Sequence, residues 1–168
     1  MILGIDVGLD GGLAVLDGAN APLPAVMPTT GTERRQIDEA ALRAWLEDVQ
    51  LQARQRGQPL TAYVESVSAM PKQGVASMFS FGCGYGLVRG ILCGLRIPYR
   101  LVKPQEWQRV VLTGLDRRDP KAAAYLFASR AWPSVDFRAT ARCRVPHQGL
   151  VDALCVAEFG RRQEGAQS

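Results

Sequence analysis

Histidine occurs once in this 168-residue chain, at His147. Chemistry built on several imidazoles is therefore excluded. The four cysteines, Cys83, Cys93, Cys143 and Cys155, include no CxxC pair. Cys143 precedes His147 by four residues, but no second Cys/His cluster exists to complete a zinc ligand set. Free thiols in a reducing compartment fit this usage better than a disulfide framework. Apolar runs are all too short to span a bilayer, and the opening MILGIDV lacks the charged stretch of a signal peptide. A cytoplasmic location with no membrane partner is expected. Internal repeats and low-complexity blocks are also missing, which argues against a solenoid or a disordered linker.

What is present is a chain of 47% apolar residues, long enough to bury one core without disulfides. Its charge is uneven. The whole chain carries +4, yet residues 96–144 alone carry +7, with eleven Lys/Arg against four Asp/Glu. A basic segment beside a mildly acidic remainder suits a polyanionic partner. A solvated basic surface would give the same count.

The hydrophobic pattern predicts strands at 2–7, 13–16, 22–27, 60–65 and 97–102. Ile37, Ala41, Leu42, Trp45, Leu46, Val49 and Ala53 share one helical face, and Gly57 ends that helix. Further helices are predicted over 73–95, 104–112, from Asp119-Pro120 onward, and over 148–161, with a flexible tail at 163–168. Glycines at 82, 84, 86, 90 and 94 in the second helix suggest close packing or backbone approach. Strands in succession followed by βα alternation read as an α/β fold with a mixed central five-stranded sheet flanked by helices. Residues 1–162 would form the domain.

Three acids stand at the ends of apolar segments or inside them. Asp6 ends the first strand, Glu65 ends LTAYVE, and Asp152 interrupts GLVDALCVAEF. Burying a charge is costly unless something pairs with it. Three such acids that meet would repel one another and call for a cation, and an all-oxygen ligand set selects Mg²⁺ or Mn²⁺. Mg²⁺ beside a basic segment fits two-metal phosphodiester hydrolysis. Equally, Asp6 could start a tight turn and Glu65 could cap a loop.

The segments GIDVGLDGGLAVLD, YVESVSAMPKQGVASMFSFGCGYG and HQGLVDALCVAEFGRR resemble, in order and spacing over about residues 1–160, the three blocks of RuvC-type Holliday junction resolvases. The likeness is to the phage and chloroplast branch. It implies an RNase H-like fold and a bacterial or phage-infected host cell. It also implies that Asp6, Glu65 and Asp152 bind catalytic Mg²⁺, with Mn²⁺ substituting. The activity implied is a crossover junction endonuclease that nicks four-way DNA symmetrically as a homodimer. Water would be the nucleophile, no small-molecule cofactor would be needed, and the ends would be 5′-phosphate and 3′-hydroxyl.

One departure matters. Such resolvases usually carry a fourth acid one helical turn before the last one, and here that position is Gly149. Some relatives use a His instead, which makes His147 a candidate ligand or proton shuttle. Five residues along a regular helix place it about 140° from Asp152, so it serves only if the helix begins at or after it. The resemblance also assigns phosphate contacts to Arg109, Arg117, Arg118 and Lys121. It assigns junction contacts to Met70, Lys72 and Gln73, in a loop where Met70 is suited to wedge between bases. Phe79 and Phe81 read as core or dimer-interface residues, and the helix over 73–95 as the dimer interface. Three rivals stand beside this reading: a non-catalytic junction-binding relative, another nuclease of the same fold, and an ATP-binding module of the actin and sugar-kinase type suggested by DVGLDGG.

Overall fold

The apolar opening segment becomes the central strand of the sheet, which is why it carries almost no polar side chain before Asp6. The computed structural model describes residues 1–18, 20–33, 35–66 and 74–166. Its elements run β1 (Ile2–Asp6), β2 (Gly12–Leu16), β3 (Leu23–Val26), β4 (Thr29–Thr30), β5 (Gln36–Ile37), α1 (Glu39–Gln55), β6 (Thr61–Glu65), α2 (Val75–Gly94), β7 (Tyr99–Val102), α3 (Pro104–Val111), α4 (Pro120–Ala131) and α5 (Gln148–Gly165).

Five strands form one mixed sheet in the order β3-β2-β1-β6-β7. The first three make an antiparallel meander, while β6 and β7 add in parallel through the crossover helices α1 and α2. This is the expected α/β architecture. The short ribbon of β4 and β5 is an addition to it. Ile37 belongs to β5, and α1 starts after it with Asp38 as N-cap, whose carboxylate accepts the Ala41 amide at 2.9 Å.

Strand alternation divides the core into two layers. Leu3, Ile5 and Val7 of the first strand, with Ala62 and Val64 of β6, pack against Leu42, Leu46 and Val49 of α1 and Val88 and Leu92 of α2. The opposite face carries Tyr63 and Val102, packed with Trp107, Val111, Ala124 and the apolar residues of α5. That last helix is apolar nearly all round because strands and helices cover it on several sides.

The approach of α5 to the sheet leaves no room for side chains at the contact. A Cβ on Gly4 would stand 2.1 Å from the Ala153 carbonyl oxygen, and one on Gly12 would stand 2.3 Å from that of Gly149. Beyond Arg161 the helix continues to Gly165, so residues 163–165, expected in a flexible tail, belong to α5. Glu164 accepts the Tyr63 hydroxyl at 2.8 Å there.

The second helix differs from expectation. Among its described side chains only Val88 and Leu92 are buried, and Phe79 is 71% exposed. A Cβ added at Gly82, Gly86, Gly90 or Gly94 would meet nothing, and only Gly84 is crowded, by Ile37. These glycines therefore do not serve close packing within the chain. Among the described residues no helix is long and apolar enough to cross a membrane.

The end of α2 also holds a backbone cost. Arg96 adopts φ 56° where the Ile97 amide turns back to the Leu92 carbonyl at 2.9 Å. That left-handed position after a helix suits glycine. Arg96 is exposed. Replacing Arg96 with glycine should stabilise the protein by about 0.5–1 kcal/mol, the usual gain from removing a Cβ there. Urea denaturation should show a higher midpoint with an unchanged slope.

Candidate active site

Period-two alternation aims Asp6 and Glu65 at the same side. Leu3 and Ile5 point to the α1/α2 layer, so Asp6 points to the α5 layer; likewise Val64 points away and Glu65 follows Tyr63. The parallel register pairs Ile5 with Val64, and one further step sets Asp6 beside Glu65. Asp152 enters from above, in the second turn of α5.

The three acids share one electrostatic environment. Burial is the first cause lifting the Asp6 carboxyl well above its usual range, followed by the charges of Glu65 and Asp152 and a hydrogen bond with Glu65. Glu65 is only 8% exposed, and burial raises it too. Hydrogen bonds from Trp107 and Asp6 act in the opposite direction. Asp152 is raised to about 6, first by burial and then by Glu65, against a hydrogen bond from Gln148 and the charge of Lys121. Burial and the neighbouring carboxylates thus favour the protonated form of Asp6 over its charged form.

Two donors outside the acids fix their orientation. Trp107 Nε1 donates to Glu65 Oε1 at 2.7 Å, and Gln148 Nε2 donates to Asp152 Oδ1 at 2.8 Å. Neither residue was singled out from the sequence. Gln148 stands four residues before Asp152, a spacing that places both on one helix face, so a signal existed. Nothing in the sequence ties Trp107 to Glu65.

The donor set, the buried carboxylate of Glu65 and the half-buried ones of Asp6 and Asp152, with only oxygen to offer, fits a hard divalent cation. Such a cation would replace the proton between Asp6 and Glu65. Among the described residues, no three His, Cys, Asp or Glu side chains are already gathered into a metal-binding group.

The other expected site residues fall into three groups. Lys121, in the first turn of α4, is exposed and close enough for its charge to act on both Asp6 and Asp152. Arg109 and Arg117 are exposed on and after α3, whereas Arg118 is held by Asp116, with Nε and Oδ2 at 2.9 Å. Met70, Lys72 and Gln73 lie outside the described residues.

His147 is the N-cap residue of α5, so it stands before the helix as its proposed role requires. Its amide donates to the Phe137 carbonyl at 2.7 Å, and its buried Nδ1 has no hydrogen-bond partner among the described residues. Gly149 has a steric explanation. A Cβ there would lie 2.4 Å from the Asp10 carbonyl oxygen, so no acid can occupy that position. Gly11 and Gly12, which suggested a phosphate-binding turn, are buried, and Gly12 lies against the start of α5.

The raised carboxyls make stability depend on pH. Asp152 titrates near 3.8 unfolded and at about 6 folded, so the folded state holds a proton that the unfolded state releases. Its contribution is complete below about pH 4 and lost as pH rises through about 6, worth about 3 kcal/mol. Asp6 shifts in the same direction. Metal-free protein should therefore melt at a lower temperature at pH 8 than at pH 5. Asp6→Asn should raise the melting temperature at pH 8 and change it little at pH 4. Calorimetry in EDTA across that range checks both.

No protein-family model matches the chain, and no curated protein sequence matches it significantly. Solved structures do. The structure of Thermus thermophilus RuvC aligns with a TM-score of 0.58 at 18% identity, covering 97% of this chain and 96% of that one. T. thermophilus RuvC in complex with Holliday junction substrate aligns with a TM-score of 0.56 at 15% identity, over 96% and 95% of the two chains. With its mixed five-stranded sheet and flanking helices in this arrangement, the chain has the RNase H-like fold of RuvC.

Proposed function

We propose that this chain is a divalent-metal-dependent endonuclease that resolves four-way DNA junctions by paired symmetric nicks. The observation that supports the reading is that Asp6, Glu65 and Asp152, from β1, β6 and α5, lie near enough for the charges of Glu65 and Asp152 to act on Asp6, on a RuvC-type fold. RuvC of T. thermophilus has been solved with a Holliday junction substrate, which supports branched DNA as the ligand class.

Asp6, Glu65 and Asp152 would hold Mg²⁺, or Mn²⁺ in its place. When bound, two such ions supply an activated water and stabilise the leaving oxygen. The hydrogen bonds from Trp107 and Gln148 fix the directions of Glu65 and Asp152. Lys121 sets a positive charge beside Asp6 and Asp152, suited to the scissile phosphate. His147 has a buried, unpartnered Nδ1, suited to accepting a proton or ligating. No enzyme nucleophile is needed, and the resemblance to RuvC-type resolvases implies 5′-phosphate and 3′-hydroxyl ends.

Arg109 and Arg117 are exposed and suited to phosphate contacts, with Arg118 joining them if it leaves Asp116. Met70, Lys72 and Gln73 would enter the junction centre. A four-way junction has two-fold symmetry, so a C2 homodimer supplies the two sites. The exposed apolar side of α2, with Phe79 and the uncrowded glycines, is the proposed interface.

Gly149 favours a second reading, a junction-binding protein without cleavage, because the fourth acid has no room. The two readings separate on a labelled synthetic junction set beside a linear duplex of the same sequence. Endonuclease action gives symmetric paired nicks on the junction alone, lost with EDTA and reduced at least 100-fold by Asp6→Asn. Tight junction binding without cleavage in Mg²⁺ or Mn²⁺ would establish the second reading.

A further inference from the structure

Two of the three clustered acids have one oxygen each already engaged. Glu65 Oε1 accepts the Trp107 indole N–H, and Asp152 Oδ1 accepts the Gln148 amide. The indole N–H is a donor only, and Trp107 is 2% exposed, so this proton has no solvent alternative if the bond is released. The ring is locked in the layer formed with Val111, Leu112 and Leu154. Its helix is tied to the end of α5 by Arg162 Nη1, which donates to the Val110 carbonyl at 2.8 Å. Gln148 is fixed differently, through the helical spacing that keeps positions 148 and 152 on one face.

The consequence concerns how each carboxylate can meet a cation. A bidentate contact needs the inward lone pairs of both oxygens, whereas a monodentate contact needs one. With Oε1 of Glu65 and Oδ1 of Asp152 each accepting an N–H, and with a cation taking the place of the Asp6 proton at Glu65, the other oxygen of each acid is the freer one for the ion. Calcium takes six to eight oxygens and readily uses carboxylates bidentately. Magnesium demands six ligands in near-octahedral geometry and usually keeps several waters. We propose that Trp107 and Gln148 are positioning residues that hold Glu65 and Asp152 monodentate and thereby make this site select Mg²⁺ or Mn²⁺ over Ca²⁺. This inference rests on the metal-dependent reading above and adds the residues that set ion choice.

The test is calorimetric titration of the full chain at pH 8 with MgCl₂, MnCl₂ and CaCl₂, in the absence of DNA. Wild type, Trp107→Phe and Gln148→Leu are compared, each with its folded state verified by circular dichroism. Gln148 is half-buried at a helix start, so its variant keeps the test open if Trp107→Phe fails to fold. Residues behind metal ligands commonly change affinity 10–100-fold. The Mg²⁺ preference over Ca²⁺ should therefore fall by about tenfold in each variant. A purely structural role would lower the affinities for both ions together and leave their ratio unchanged. Ratios within about twofold of wild type in every folded variant would overturn the proposal while leaving the metal reading intact. Wild-type protein that binds none of the three ions would overturn both.

Discussion

The direct seating of α5 on the first two strands is the constraint from which the rest follows. Backbone meets backbone at Gly4 with Ala153 and at Gly12 with Gly149, distances at which no Cβ fits. Only that approach lets Asp152 reach the pair of acids at the ends of β1 and β6. The same contact forbids a side chain at 149, so the geometry that completes the three-acid cluster also removes the place for a fourth. The helix is held in register at its other end by Tyr63 with Glu164 and by Arg162 with the Val110 carbonyl.

The cluster that results is costly by itself. Burial and mutual repulsion raise Asp6 and Asp152, so their charged forms are disfavoured without a cation. A fold under selection for stability alone would place apolar residues at these positions. Two neutral donors, Trp107 and Gln148, spend their N–H groups on this cluster instead of on backbone. Lys121 supplies the single positive charge felt by both Asp6 and Asp152 among the described residues. Such local conflict between folding and charge is common at functional sites.

Much of this was legible in the sequence, and the physical reason is periodicity. Apolar runs ending in an acid marked β1 and β6, and the apolar helix broken by Asp152 marked α5. That Asp6 and Glu65 belong together came from the family resemblance, and the β1–β6 register is what sets them on one face. What periodicity could not carry was contact between distant segments. Trp107 looks like an ordinary core residue until its indole is seen on Glu65. The glycines of α2 looked like packing devices, yet four of them face open space. The β4/β5 ribbon, two residues in each strand, is too short for any pattern to register. His147 stands just before α5 as its N-cap residue, the position from which the sequence reading would allow it to serve.

The central claim is that Asp6, Glu65 and Asp152 exist to hold a divalent cation in place of their shared proton. Anomalous diffraction from a crystal of the full chain soaked in Mn²⁺ at pH 8 tests it most directly. The account predicts anomalous density among these three carboxylates, with Trp107 and Gln148 still donating to Glu65 and Asp152. Density elsewhere on the surface only, with the Asp6–Glu65 contact undisturbed, would contradict it.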